Sequence, residues 1–135
     1  MERVIFACVH NAGRSQMAAA FFADMADPAR ATAASAGTQP GDRVHPEVVA
    51  AMREVGIDLG GNQPQLLTDE LARGASLLVT MGCGDACPYV PGLELEDWPL
   101  ADPKGRPMAE VREVRDDIRR RVAALIESRR WGAAG

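Results

Sequence analysis

Aromatic residues are scarce in this chain, with two Trp, one Tyr and three Phe making 4% of its 135 residues. So sparse a set disfavours any site that receives a ring by stacking it between side chains. Histidine is scarcer still: the two, His10 and His45, have no ligand spacing with each other, so a zinc centre lacks its usual donors. Three cysteines are an odd number and too few for a disulfide framework, which leaves redox chemistry or metal binding as their use. No apolar run approaches the roughly 20 residues of a membrane-spanning helix. Met1-Glu2-Arg3-Val4 leads straight into a strand pattern with no signal-peptide signature, so a cytoplasmic protein is expected. A net charge of −4 gives no broad nucleic-acid-binding surface. Repeats are absent, and no self-association surface stands out, so a monomer is expected.

What is present is an alternation of strand and helix signals. Residues 3–8 read as a buried strand, 15–26 as a helix, 31–36 as a strand of small residues, and 45–55 as a helix opened by Pro46 and stopped at Gly56. Thr68 is a candidate N-cap for a short helix that stops at Gly74, followed by a buried strand at 76–81. A last strand is predicted at 93–98, and a long helix at 108–128 with Met108, Val111, Val114 or Arg115, Ile118, Val122 and Leu125 at helical spacing. Its Arg112, Arg115 and Arg119, alternating with Glu110, Glu113, Asp116 and Asp117, read as a solvated face of intrahelical pairs. The pattern predicts a single α/β domain over residues 1–131, a four-stranded parallel sheet flanked by helices on both faces, with 132–135 as a loose tail. In such sheets ligands bind beyond the carboxyl ends of the strands.

Three chemically loaded loops follow strand ends. In the first, Cys8-Val9-His10-Asn11-Ala12-Gly13-Arg14-Ser15 joins the apolar run Val4-Ile5-Phe6-Ala7 to the helical stretch from Gln16. A loop between a strand and a helix aims its amides and the helix N-terminus at one spot, which suits a tetrahedral oxyanion held by residues 9–15. The same potential favours a thiolate at Cys8 and makes it a nucleophile. Arg14 can offer its planar fork to two oxygens, and Ser15 can hydrogen-bond the thiolate. Cys-x5-Arg alone is a weak signal in an arginine-rich chain; the flanking strand and helix strengthen it. His10 either touches the anion or shapes the loop, and Asn11 suits a left-handed turn.

The second loop holds Cys83, flanked by Gly82 and Gly84, and Cys87 four residues on. One helical turn would bring the two within disulfide reach; two small apolar loop residues is the plainer alternative, and Cys-x3-Cys without a second ligand pair argues against zinc. The third, Asp97-Trp98-Pro99-Leu100-Ala101-Asp102-Pro103, presents a carboxyl beside the cradle. A bound anion would favour its protonated form, as a general acid requires.

Taken together, Cys8-x5-Arg14-Ser15 and Asp102-Pro103 on this α/β pattern resemble the low-molecular-weight protein tyrosine phosphatases. The fuller set, Cys8 to Ala18, Ser35-Ala36-Gly37-Thr38, the Cys83/Cys87 pair and Trp98-x-Leu100-x-Asp102-Pro103, resembles the thioredoxin-coupled arsenate reductases built on that fold. The resemblance implies that Cys8 attacks arsenate held by Arg14 and the loop amides while Asp102 protonates the departing oxygen. Cys83 then attacks the Cys8 sulfur, expelling arsenite, and Cys87 attacks Cys83. Thioredoxin, fed by NADPH through thioredoxin reductase, would reduce the resulting disulfide, with no bound cofactor. In the best-known members the relay cysteines are more widely separated. Some members hold potassium with a glutamate where Ala19 and Ala20 stand here, so no metal site is expected.

Two other functions compete. A phosphomonoester or phosphotyrosine phosphatase would use Cys8, Arg14 and Asp102 and leave Cys83 and Cys87 idle; weak phosphatase activity is also expected as a by-product. A thiol-based metalloid sensor would leave Arg14 and Asp102 idle.

Overall fold

The computed structural model describes residues 2–81 and 92–132. Strands β1 (Glu2–Cys8), β2 (Ala31–Gly37), β3 (Leu77–Thr80) and β4 (Glu94–Asp97) form one parallel sheet in the order β2-β1-β3-β4. β1 is central, and Val4 to Cys8 are all buried, as a strand covered on both faces requires. β4 closes one edge with Glu94, Leu95 and Asp97 exposed, and its charges blunt that edge against further pairing.

Helices α1 (Arg14–Met25), α2 (Pro46–Arg53) and α4 (Met108–Arg129) cover one face. There Val4 and Phe6 meet Phe21 and Phe22 of α1, Met52 of α2, and Ile118 and Val122 of α4. Phe6 stacks edge-on to Phe22 at 6.0 Å and lies 5.7 Å from the Trp98 ring. The opposite face is thinner: Ile5, Ala7, Ala36 and Leu78 pack under Leu67 and under Leu71 of the short helix α3 (Asp69–Arg73). The sheet thus carries helices on both faces. Thr68 caps α3 by accepting from the Leu71 amide at 3.0 Å, and α2 gives way to Gly56 at a positive φ of 84°.

One reading of the sequence is corrected. Arg112 and Arg115 do not pair along their own helix face alone; both cross to Glu54 after α2, at 2.8 and 2.7 Å. Arg115 lies on the apolar stripe, buried, and also donates to the Ala51 carbonyl at 2.9 Å. A long side chain buries its stem and carries its charge to the next helix, which helical spacing within one segment does not reveal. An intrahelical pair does form between Arg121 and Asp117, and Arg106, ahead of α4, pairs with Glu110 in its first turn. Gly132 pairs with Ala26 in an isolated antiparallel bridge, so the described chain stays attached to the fold there. Among the described residues no helix is long and apolar enough to cross a membrane.

Candidate active site

The end of β1 places Cys8 on the floor of the loop, 2% exposed. From there the chain wraps into a cradle whose carbonyls are turned outward and stapled to residues 38–45. The Cys8 carbonyl accepts from Thr38 N at 3.3 Å, Val9 from Gln39 at 2.8 Å, His10 from Gly41 at 2.9 Å and Ala12 from His45 at 2.9 Å. With the carbonyls outside, the amides are left for the inside: those of His10 through Ser15 donate to no described residue. Gly13 provides no side-chain cap for α1, and the first turn of that helix carries no acidic residue. Free amides and an uncapped, acid-free helix start together favour an anion at that point.

Two features make so tight a loop possible. Asn11 takes a left-handed conformation, φ 51°, which asparagine accepts at low cost. Gly37, at the end of β2, lets the cradle lie against the sheet: a Cβ there would stand 2.6 Å from the Val9 carbonyl oxygen and 2.9 Å from Asn11 N. A glycine that ends a strand of small residues was the available signal for this close approach.

Arg14 is 7% exposed. Its Nη1 donates to the Leu100 carbonyl at 3.2 Å and its Nη2 lies 3.9 Å from Asp102 Oδ2, so the third loop anchors the guanidinium from outside. Asp102 Oδ1 accepts from the Lys104 amide at 3.0 Å, while the side chain stays 43% exposed at the rim. Pro103 leans on the cradle, its Cγ 3.2 Å from where a side chain at Gly13 would begin. The two loops therefore touch closely enough that a side chain at position 13 would push Pro103 by a few tenths of an ångström.

The floor is wired differently. Cys8 Sγ and Ser15 Oγ are 2.9 Å apart, and Asn11 Nδ2 donates to Ser15 Oγ at 2.7 Å. Gln16 and Gln65 both reach Asn11, a connection that loop spacing alone did not reveal. Of the remaining loop positions, Val9 is half-buried and Ala12 buried, and His10 presents Nδ1 3.1 Å from the Gln39 carbonyl, tying its ring to the outer segment. His45 was not singled out as a site residue, yet its ring edge is 3.6 Å from the Cβ position of Gly13. Burial holds its imidazole below the ordinary range, with the Glu47 and Asp102 carboxylates opposing. Trp98, beside the third loop in sequence, is 4% exposed and packs into the core, its Nε1 donating to Glu96. Cys83, Cys87 and Tyr89 lie outside the described residues. Among the described residues no cluster of three or more His, Cys, Asp or Glu could hold a metal ion.

A family model described as low molecular weight phosphotyrosine protein phosphatase matches residues 3–130. A Halobacterium salinarum protein is 42% identical over 129 residues, which cover 90% of this chain and 89% of that one. A Synechocystis protein named glutaredoxin arsenate reductase is 36% identical over 129 residues, covering 93% of this chain and 97% of its own. Among solved structures, a thioredoxin-dependent arsenate reductase of Corynebacterium glutamicum superposes with a TM-score of 0.82 at 37% identity, over 95% of this chain and 61% of that longer one.

Proposed function

This chain belongs to the low-molecular-weight phosphotyrosine protein phosphatase family, and from that membership we propose that it is an arsenate reductase with a Cys8 nucleophile. The observation that carries the reading is the buried Cys8 thiol beneath a ring of inward amides, with Arg14 at the start of α1 and Asp102 on the facing loop. Arsenate sits on the amides of residues 9–15 and on Arg14. Cys8 sulfur attacks arsenic, an As–O bond breaks, and Asp102 delivers a proton to the departing oxygen. Cys83 sulfur then attacks Cys8 Sγ; the S–As electron pair leaves with arsenic, which departs as arsenite, two electrons richer. Cys87 attacks Cys83 and frees Cys8, and the Cys83–Cys87 disulfide takes two electrons from an external dithiol. Thioredoxin is the donor named for the Corynebacterium relative and glutaredoxin for the Synechocystis one. Thioredoxin, with NADPH behind it, is the donor assigned here; a reducing cytoplasm would supply it.

A phosphatase needs the same cradle, because phosphate and arsenate have the same charge and shape. The burial of Trp98 weighs against a phosphotyrosine substrate, since that ring fills the core instead of walling the mouth. Slow hydrolysis of small aryl phosphates is expected as a side reaction.

The decisive experiment couples the full chain to thioredoxin, thioredoxin reductase and NADPH and follows arsenate-dependent NADPH oxidation. The parent turns over, and Cys8→Ser, Cys83→Ser and Cys87→Ser each abolish turnover. Aryl phosphate hydrolysis without arsenate reduction, dependent on Cys8 alone, would instead make the chain a phosphatase. Turnover with glutaredoxin alone would reassign the donor.

A further inference from the structure

We infer that Gln16 is a positioning residue for Cys8: by fixing the Asn11 carboxamide it makes the Ser15 hydroxyl donate its hydrogen to the Cys8 sulfur. The inference rests on Cys8 being the nucleophile, and it concerns a residue that touches neither the sulfur nor the cradle's inner amides.

The direction of each hydrogen bond follows from main-chain groups whose roles cannot reverse. The Gln65 amide can only donate, and it lies 2.9 Å from one end of the Asn11 carboxamide, which is therefore the oxygen. The Asn11 and Gln63 carbonyls can only accept, and one end of the Gln16 carboxamide lies 3.1 and 3.4 Å from them, which is therefore the amino group. That amino group also donates to Asn11 Oδ1 at 3.2 Å, and Gln16 Oε1 accepts from Asn62 at 3.3 Å. Two donors converge on Asn11 Oδ1, so Asn11 Nδ2 must face Ser15, 2.7 Å away. Ser15 Oγ then already accepts, and its own hydrogen has the Cys8 sulfur as its partner at 2.9 Å. A hydroxyl that points its hydrogen at sulfur stabilises the thiolate over the thiol.

Asn11 is fully buried and Gln16 is 4% exposed, so water does not replace a lost partner cheaply. Turning the Gln16 donor into an acceptor sets oxygen against the Asn11 and Gln63 carbonyls and Asn11 Oδ1, and leaves the Gln65 amide alone, among the described residues, to hold Asn11 Oδ1 in place. Whenever the carboxamide turns, Ser15 donates to Asn11 and the sulfur loses its hydrogen.

The test uses the full chain carrying Cys83→Ser and Cys87→Ser, so that Cys8 is the only thiol, and measures its alkylation by iodoacetamide. Gln16→Glu slows labelling at pH 7 by about tenfold, the scale of one hydrogen bond to a charged group, and Gln16→Met slows it several-fold. At pH 10 the variants and the parent label at one rate. Labelling at the parent's rate at pH 7 in a folded variant, or slowing that persists at pH 10, overturns the inference. A purely structural Gln16 would lower the melting temperature and leave the pH 7 rate alone. Should Gln16→Glu not fold, Gln16→Met, which keeps the volume without a charge, carries the test. Labelling needs neither arsenate nor a reductant, so a parent that labels as described yet reduces no arsenate refutes the reductase reading alone.

Discussion

The floor of the cradle and its rim are built to different standards. On the floor, Cys8, Asn11, Ser15 and Gln16 are all buried and each polar side-chain atom meets a partner between 2.7 and 3.4 Å. At the rim, Asp102 is 43% exposed and reaches Arg14 only at 3.9 Å, while His45 and His10 are half-buried. In the proposed mechanism the nucleophile is therefore preorganised, whereas the proposed acid is held only by Arg14 at 3.9 Å and the Lys104 amide. Electrostatic preorganisation is what a developing negative charge rewards, and a proton donor needs only to arrive within hydrogen-bond reach.

Three substitutions test that contrast. Arg14→Lys gives the largest effect, because it removes the planar fork from a cation that joins the cradle to the rim: kcat/KM for arsenate falls about a thousandfold, measured in the thioredoxin-coupled assay. Asp102→Asn takes away the rim's proton but nothing from the floor, so kcat falls about a hundredfold while Cys8 alkylation stays at the parent's rate. Loss of alkylation in that variant would mean that floor and rim are not separate units. Gly37→Ala works the other way: a methyl 2.6 Å from the Val9 carbonyl forces the cradle off the sheet. It lowers stability by about 1–3 kcal/mol, read by urea melts, and lowers activity with every rim residue still in place.

The smallest effect lies away from the site altogether. Glu54, bonded by Arg112 and Arg115, titrates at about 2, well below an ordinary glutamate. Its pairing therefore stabilises the fold fully above pH 4.5 and the stabilisation is lost as pH falls toward 2. Urea melts of the parent and Glu54→Gln should converge across that window and differ above it, with activity per folded molecule unchanged at pH 7.

How far the sequence discloses these features depends on how local their causes are. The strands and helices follow apolar periodicity and caps such as Thr68 and Pro46, so their ends fall within a residue or two of expectation. Cys8, Arg14 and the amide ring share one strand-loop-helix segment, whereas Asp102-Pro103 alone is only a turn signal and gains its meaning from lying beside Arg14. The Gln65 contact to Asn11, the His45 ring beside Gly13, and the Arg115 bridge to Glu54 join segments far apart in the chain. No spacing rule within one segment encodes them. Tertiary packing also decided the fate of Trp98, whose place beside the acid loop in sequence gave no hint that it would be drawn into the core.

The central position of β1 bears on how the protein is made. The strand that holds Cys8 pairs with β2 on one side and β3 on the other, and its outer cradle bonds come from residues 38–45. The cradle is therefore held by two pairings of different reach, one to residues 38–45 and one to β3, and an anion site of this kind exists only in a chain whose long-range pairings have formed.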